Sequence, residues 1–176
     1  MQILLGSTQV SDIDRTRRRT GRNAPTVIIV EHSTLARTTV VKLLERELTG
    51  WNVIDLISTE SLDRALGAEV RLIVLGLAGR GVESTSLRDD LAAIAARFPE
   101  APVTLLSGTD DAIIARQALK MGIRGLFSTS LPIDIALAGL RLVLAGGTFF
   151  PQLLGAGTND SSEHSPARND AEKSLD

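Results

Sequence analysis

Residues 71–81 read RLIVLGLAGRG. A run of branched apolar residues, Leu72 to Leu75, stops at Gly76 and gives way to a loop of small residues. An unbroken apolar run of this length reads as a strand buried on both faces, as in parallel sheets. Proteins of that class place their chemistry beyond the carboxyl ends of such strands. Here that position falls on Gly76, which has no side-chain atom to act with.

The same pattern recurs on either side. TVIIV (26–30), WNVIDLIS (51–58), PVTLLS (102–107) and RGLFSTS (124–130) supply four more apolar runs. Between them lie stretches with helical spacing. Ser33–Leu48 carries Leu35, Val40, Leu43, Leu44 and Leu48, with Ser33 or Thr34 as N-cap and Gly50 as stop. A short helix is expected around Ser61–Leu66, and Ser84–Phe98 is amphipathic. Asp110 and Asp111 open a fourth helix that Gly122 ends, and Pro132 starts a fifth that runs to Ala145. Strands alternating with helices predict a doubly wound α/β fold, a parallel five-stranded sheet in a three-layer α/β/α sandwich.

Composition narrows the classes. The chain has 176 residues, 43% apolar but only 3% aromatic, so the core must be built from Leu, Ile, Val and Ala. A net charge of -2 gives no overall footprint for nucleic acid. The absence of cysteine removes disulfides, thiolate metal sites and thiol nucleophiles. No stretch is long and apolar enough to span a membrane, and a cytoplasmic location is expected. Residues 1–25, with Arg15, Arg17, Arg18, Arg19 and Arg22, read as a solvated extension. Residues 26–152 read as one domain, and 153–176 as a polar linker or tail.

These segments resemble the receiver domain of bacterial response regulators, the CheY-like (flavodoxin-like) fold with strand order 2-1-3-4-5. IVEHSTLAR resembles the family's first-strand segment, where two acids hold magnesium. RLIVLGLAGRG resembles the third, which ends in the phospho-accepting aspartate. TLLSG resembles the fourth with its Ser/Thr, and GLFSTSLP the fifth with its lysine and proline. LRLVLAGGTFFPQ resembles receivers that precede a LuxR-type helix-turn-helix domain.

Position by position, the resemblance implies a degenerate pocket. Glu31 stands at the first acidic position and His32 at the second. Gly76 stands at the aspartate, Ser107 at the hydroxyl, Thr129 at the lysine and Leu126 at the switching aromatic residue. Phosphoryl transfer needs a carboxylate nucleophile, and magnesium needs several hard oxygen ligands. The expectation is therefore a pseudo-receiver with no cofactor, no metal and no enzymatic activity.

Other chemistries for these residues are weaker. Glu31, His32 and Ser107 contain the ingredients of a Ser–His–acid set, but adjacent residues on extended backbone point apart. His32 is expected as a hydrogen-bonded structural imidazole, and His164 lies far away in the tail. The glycines of GLAGRG do not have the spacing of a nucleotide-binding loop. Arg80 is a candidate for holding a small acidic ligand.

The last helix offers the best contact surface. Its only charged residues are Asp134 and Arg141. Ile133, Leu137, Leu140 and Leu144 are expected to face the sheet, leaving Ile135, Gly139 and Leu142 as a candidate dimer surface. MQILLG, or the tail, is the alternative cover for that flank. The function expected is a phosphorylation-independent regulatory module of a LuxR-type transcriptional regulator, acting as a homodimer or on a protein partner. DNA would be reached only through a C-terminal domain that this chain does not contain. The alternatives are a stand-alone interaction or scaffold protein and a small-ligand sensor using the altered pocket.

Overall fold

The computed structural model describes residues 24–154. The expectations for the arginine-rich extension, for MQILLG, for residues 155–176 and for His164 lie outside those residues. Five strands, β1 (Pro25–Val30), β2 (Asn52–Leu56), β3 (Glu69–Gly76), β4 (Val103–Ser107) and β5 (Gly125–Ser128), form one sheet. All pairings are parallel, in the order β2-β1-β3-β4-β5. Among the described residues, α1 (Thr34–Glu47), α2 (Thr85–Arg97) and α3 (Ala112–Lys120) connect β1 to β2, β3 to β4 and β4 to β5, and α4 (Ile133–Leu144) follows β5. The short helix expected around Ser61–Leu66 is a 3-10 helix, Thr59–Ala65.

The helix starts follow the local chemistry. Ser33 Oγ accepts the Ala36 amide, Ser84 Oγ accepts the Leu87 amide, and Asp111 Oδ1 accepts the Ile113 and Ile114 amides. Each interaction satisfies donors that a first turn otherwise leaves unpaired.

The sheet separates two apolar cores, because alternate strand residues face opposite sides. Ile28, Val30, Ile73, Leu75, Leu105 and Leu126 pack toward the face covered by the 3-10 helix, α2 and α3. Val27, Ile29, Leu72 and Val74 pack toward α1 and α4, where they meet Leu44, Leu140 and Val143. The continuous apolar runs thus reflect burial on both faces. Among the described residues no helix is long and apolar enough to cross a membrane.

Two expectations for α4 are corrected. Gly139 is buried rather than on a surface: a Cβ there would stand 2.6 Å from ring atoms of Phe149. Ile133 is 54% exposed and lines a groove rim instead of facing the sheet. Ile135 and Leu142 are each 48% exposed, as the helical spacing predicts.

Candidate functional site

Parallel register brings the carboxyl ends of the strands to one rim. Val30 pairs with Leu75, Gly76 with Leu106, and Ser107 with Ser128. Glu31, Gly76, Ser107 and Thr129 therefore share that rim, as their positions in the sequence predict.

Glu31 is the centre of the arrangement. Its side chain is buried, and Oε1 accepts the Ser33 amide at 2.6 Å. That amide belongs to the N-cap of α1, where the helix end favours negative charge. The other half of the carboxylate turns over Gly76. A Cβ added at Gly76 would collide with Glu31 Oε2 and lie 2.7 Å from Cδ. One residue's carboxylate thus fills the space that a side chain on the other would require.

Neighbouring side chains hold this geometry. Arg37 Nη1 donates to the carbonyl of Glu31 at 2.7 Å, and its Nε donates to Asp55 at the end of β2. The loop after β3 contains two successive residues in the left-handed region, Ala78 at φ 50° and Gly79 at φ 77°. Alanine is strained there, so the loop needs a fastener. Arg80 supplies it, donating to the carbonyls of Gly76 and Leu77 at 3.0 Å and to Asp90 at 2.7 Å. Thr59 donates to the other Asp90 oxygen at 2.6 Å. Arg80 is therefore committed to the loop and not held free for an acidic ligand.

The two remaining loops carry hydroxyls. Ser107 Oγ is buried and accepts the Thr109 amide. Thr129 is exposed, and its amide donates to the Ser107 carbonyl. Ser130 Oγ donates to Asp110 Oδ2 at 2.8 Å. With its one proton spent, Ser130 must accept from Ser128 Oγ across their 2.6 Å contact. The hydrogen bonds from Ser130 and then Gln152 hold the Asp110 carboxyl below its ordinary range, against a small opposing effect of burial. Sequence reasoning placed Asp110 only at a helix start and did not anticipate this cluster.

His32 is placed differently from the role considered for it. His32 points outward, exposed, and its ring has no hydrogen-bond partner among the described residues. A structural imidazole is thus not what this position holds, and no Ser–His–acid set is assembled. Leu126 is fully buried in the core beneath α3. A magnesium ion does not fit the residues present. Glu31 is a lone carboxylate with one oxygen already committed, and no group of three acidic, His or Cys side chains converges among the described residues.

A second feature lies on the other face. An apolar groove of about 430 Å³ runs between α1 and α4, floored by Val74, Leu106 and Phe127. Leu35 and Ile133 stand at its rim, and Leu35 is 80% exposed. Leu35 therefore belongs to the surface, although its spacing grouped it with the buried face of the helix.

No family model and no curated protein matches the chain. Solved structures do. The chain is similar to a LuxR family DNA-binding response regulator from Silicibacter pomeroyi, at 27% identity over 72% of this chain and 97% of that one, with a TM-score of 0.58. It is similar to the isolated REC domain of RcsB from Salmonella enterica serovar Typhimurium, at 16% identity, 75% and 96% coverage and a TM-score of 0.59. A third is RcsB in a structure of two dimers bound to two parallel DNAs, at 18% identity, 75% and 66% coverage and a TM-score of 0.58. The chain has the fold of response-regulator receiver domains.

Proposed function

We propose that this chain is the receiver-like regulatory domain of a LuxR-type transcriptional response regulator, and that it works without phosphorylation. Residues 26–152 form the regulatory unit, flanked by segments 1–25 and 153–176. The observation that carries this reading is the Glu31 carboxylate over Gly76. A phosphoacceptor needs a nucleophilic side chain at that point, and residue 76 has none. Thr129, exposed and uncharged, supplies no cation for a phosphoryl group. The domain is non-enzymatic and cytoplasmic.

Its output is then a contact surface, and the exposed flank of α4 with the adjoining groove is the favoured one. A homodimer across this surface follows, with DNA contacted by a further domain outside this chain. The RcsB dimers on DNA, although distant in sequence, are consistent with that use of the fold. A stand-alone interaction protein is the second reading, favoured by the same apolar groove.

The test is incubation of residues 1–176 and a Gly76→Asp variant with acetyl phosphate and Mg²⁺, followed by intact-mass measurement. We expect no phosphoryl adduct on either, because residue 76 of the unaltered chain has no nucleophile and the variant still lacks a cation at Thr129 and a second acid at His32. A stable adduct on the unaltered chain would sink phosphorylation independence.

A further inference from the structure

The chain does not leave the domain at the end of α4. Gly146, at φ 91°, ends the helix, and Phe149 comes to lie beside the outer edge of β5, forming an isolated parallel bridge with Gly125. The Phe149 amide donates to the Arg124 carbonyl, and its carbonyl accepts the Leu126 amide, both at 2.9 Å. A bare edge strand is open to pairing with other chains, and these bonds occupy part of it.

The seat for Phe149 is cut by two glycines. A Cβ at Gly139 would stand 2.6 Å from the ring, and a Cβ at Gly125 would stand 3.2 Å from the Phe149 carbonyl oxygen. The ring also packs on Phe127, with centroids 4.9 Å apart. Phe150 and Leu153 then cross to the opposite core, so the segment bridges both faces of the sheet. The turn Pro151–Leu153 lies against α3. There Gln152 Nε2 donates to Asp110 Oδ1 at 3.0 Å and to the Leu126 carbonyl at 3.4 Å. Asp110 is held from its other oxygen by Ser130.

We propose that Phe149–Leu153 is a latch, closed by Gln152 on Asp110, that joins the two hydroxyl-bearing rim loops to the segment that follows α4. Asp110 follows Ser107 and Thr109 in one rim loop, and Ser130 closes the other. A shift in either loop pulls on Gln152 and so on the turn Pro151–Leu153 that carries it. Closed, the latch also denies the covered edge of β5 to any other chain. This inference stands independently of the phosphorylation reading, since it needs only the rim loops and the segment after α4. Asp110 is a positioning residue in this device.

The test is amide hydrogen exchange on residues 1–176. Gln152→Glu sets a carboxylate against Asp110. It should speed exchange at the Leu126 and Phe149 amides about tenfold, the loss of roughly one hydrogen bond's worth of protection. Gln152→Ala should act in the same direction, and β1 amides such as Ile28 should be unaffected. Adding Asp110→Asn to Gln152→Glu restores a donor–acceptor pair and should restore protection. The chain has no cysteine, so spin labels on Arg116→Cys and Leu154→Cys report the position of the latch against α3 cleanly. Their distance distribution should broaden in Gln152→Glu and narrow again in the double variant. Unchanged protection in both single variants, loosening shared equally by β1, or failure of the double variant to recover would overturn the latch.

Discussion

Glu31 and Gly76 occupy a single space between them. The glutamate's Oε1 is held at 2.6 Å by the Ser33 amide, and its Oε2 lies where a Cβ on residue 76 would have to go. Residue 76 thus offers no nucleophile, and the space beside it is filled by a neighbouring carboxylate. An aspartate restored there would first have to displace Glu31.

That relationship makes Gly76→Ala costly. The incoming methyl must push the Glu31 carboxylate off the Ser33 amide, losing a charge-assisted hydrogen bond. Overpacking of this kind costs about 1–3 kcal/mol. Glu31→Ala removes the obstacle, so the double variant should lose less than the two single losses added. Urea denaturation of the four proteins gives the coupling energy directly. Additivity would show that the two residues do not compete for space.

Arg80 predicts a second loss. Its guanidinium ties two backbone carbonyls and Asp90 to a loop containing a left-handed alanine. Arg80 and Asp90 are 28% and 21% exposed, so solvent weakens the pair without cancelling it. Arg80→Ala should cost about 2 kcal/mol, measured as a lower urea midpoint at unchanged slope. Arg80→Lys should recover only part of this, because an ammonium lacks the planar fork that reaches all three acceptors.

The α4 glycine predicts an effect opposite in sign to its helix propensity. Alanine at an exposed helix interior stabilises by about 1 kcal/mol relative to glycine. At Gly139 the new Cβ meets the Phe149 ring at 2.6 Å, so Gly139→Ala should destabilise instead, by about 1 kcal/mol net. In a Phe149→Ala background the same change should become neutral or stabilising. Thermal melts of the four proteins decide it.

This glycine also shows where sequence reading stops. The strands were legible because a sheet covered on both faces demands unbroken apolar runs, and 26–30 and 72–75 have them. The rim positions followed, since each lies just past such a run. A helical wheel, however, sees only its own helix, and it placed Gly139 on the outside beside Ile135 and Leu142. The segment that covers Gly139 comes from residues after the helix. The signal was present as a glycine inside a helix followed by the pair Phe149–Phe150 in an aromatic-poor chain. Glu31 was similar. Alternation said that it and His32 point apart, but only packing says that the inward carboxylate settles over Gly76.

Asp110 gives the latch a pH dependence whose sign is fixed. Hydrogen bonds from Ser130 and Gln152 lower its folded pKa below the ordinary carboxylate value of 3.8. The ionised form is therefore favoured by folding, and its contribution is full above the unfolded value. It is lost as pH falls through the lower folded value. Lowering the pH from 6 to about 3 should reduce latch protection in the unaltered chain. In Asp110→Asn the step should be smaller, since no charge is left there to titrate. Hydrogen exchange of the Leu126 amide across this range, corrected for intrinsic rates, measures it. Equal steps in both proteins would assign the change to other groups.

The α4 flank gives the last prediction. Ile135 and Leu142 lie seven residues apart on one side of the helix, each 48% exposed, while Leu137, Leu140 and Val143 are buried beneath them. Gly139, between the two in sequence, is under Phe149, so the usable surface is narrower than the spacing suggested and must draw on the groove toward α1. Leu35 and Ile133 extend it there with their side chains largely in water. Apolar side chains so placed gain about 25 cal/mol per Å² when a partner removes that water. The chain should therefore elute with an absolute mass of twice 18.8 kDa in light scattering at micromolar concentration. Ile135→Asp and Leu35→Asp should each return it to a folded monomer, because burying an unpaired carboxylate at the contact costs more than the patch returns. Arg141→Ala should leave the mass unchanged, since its 4.0 Å pairing with Glu47 links α1 to α4 within one chain. A monomer in the unaltered protein would remove the homodimer and leave the groove to a partner of different sequence.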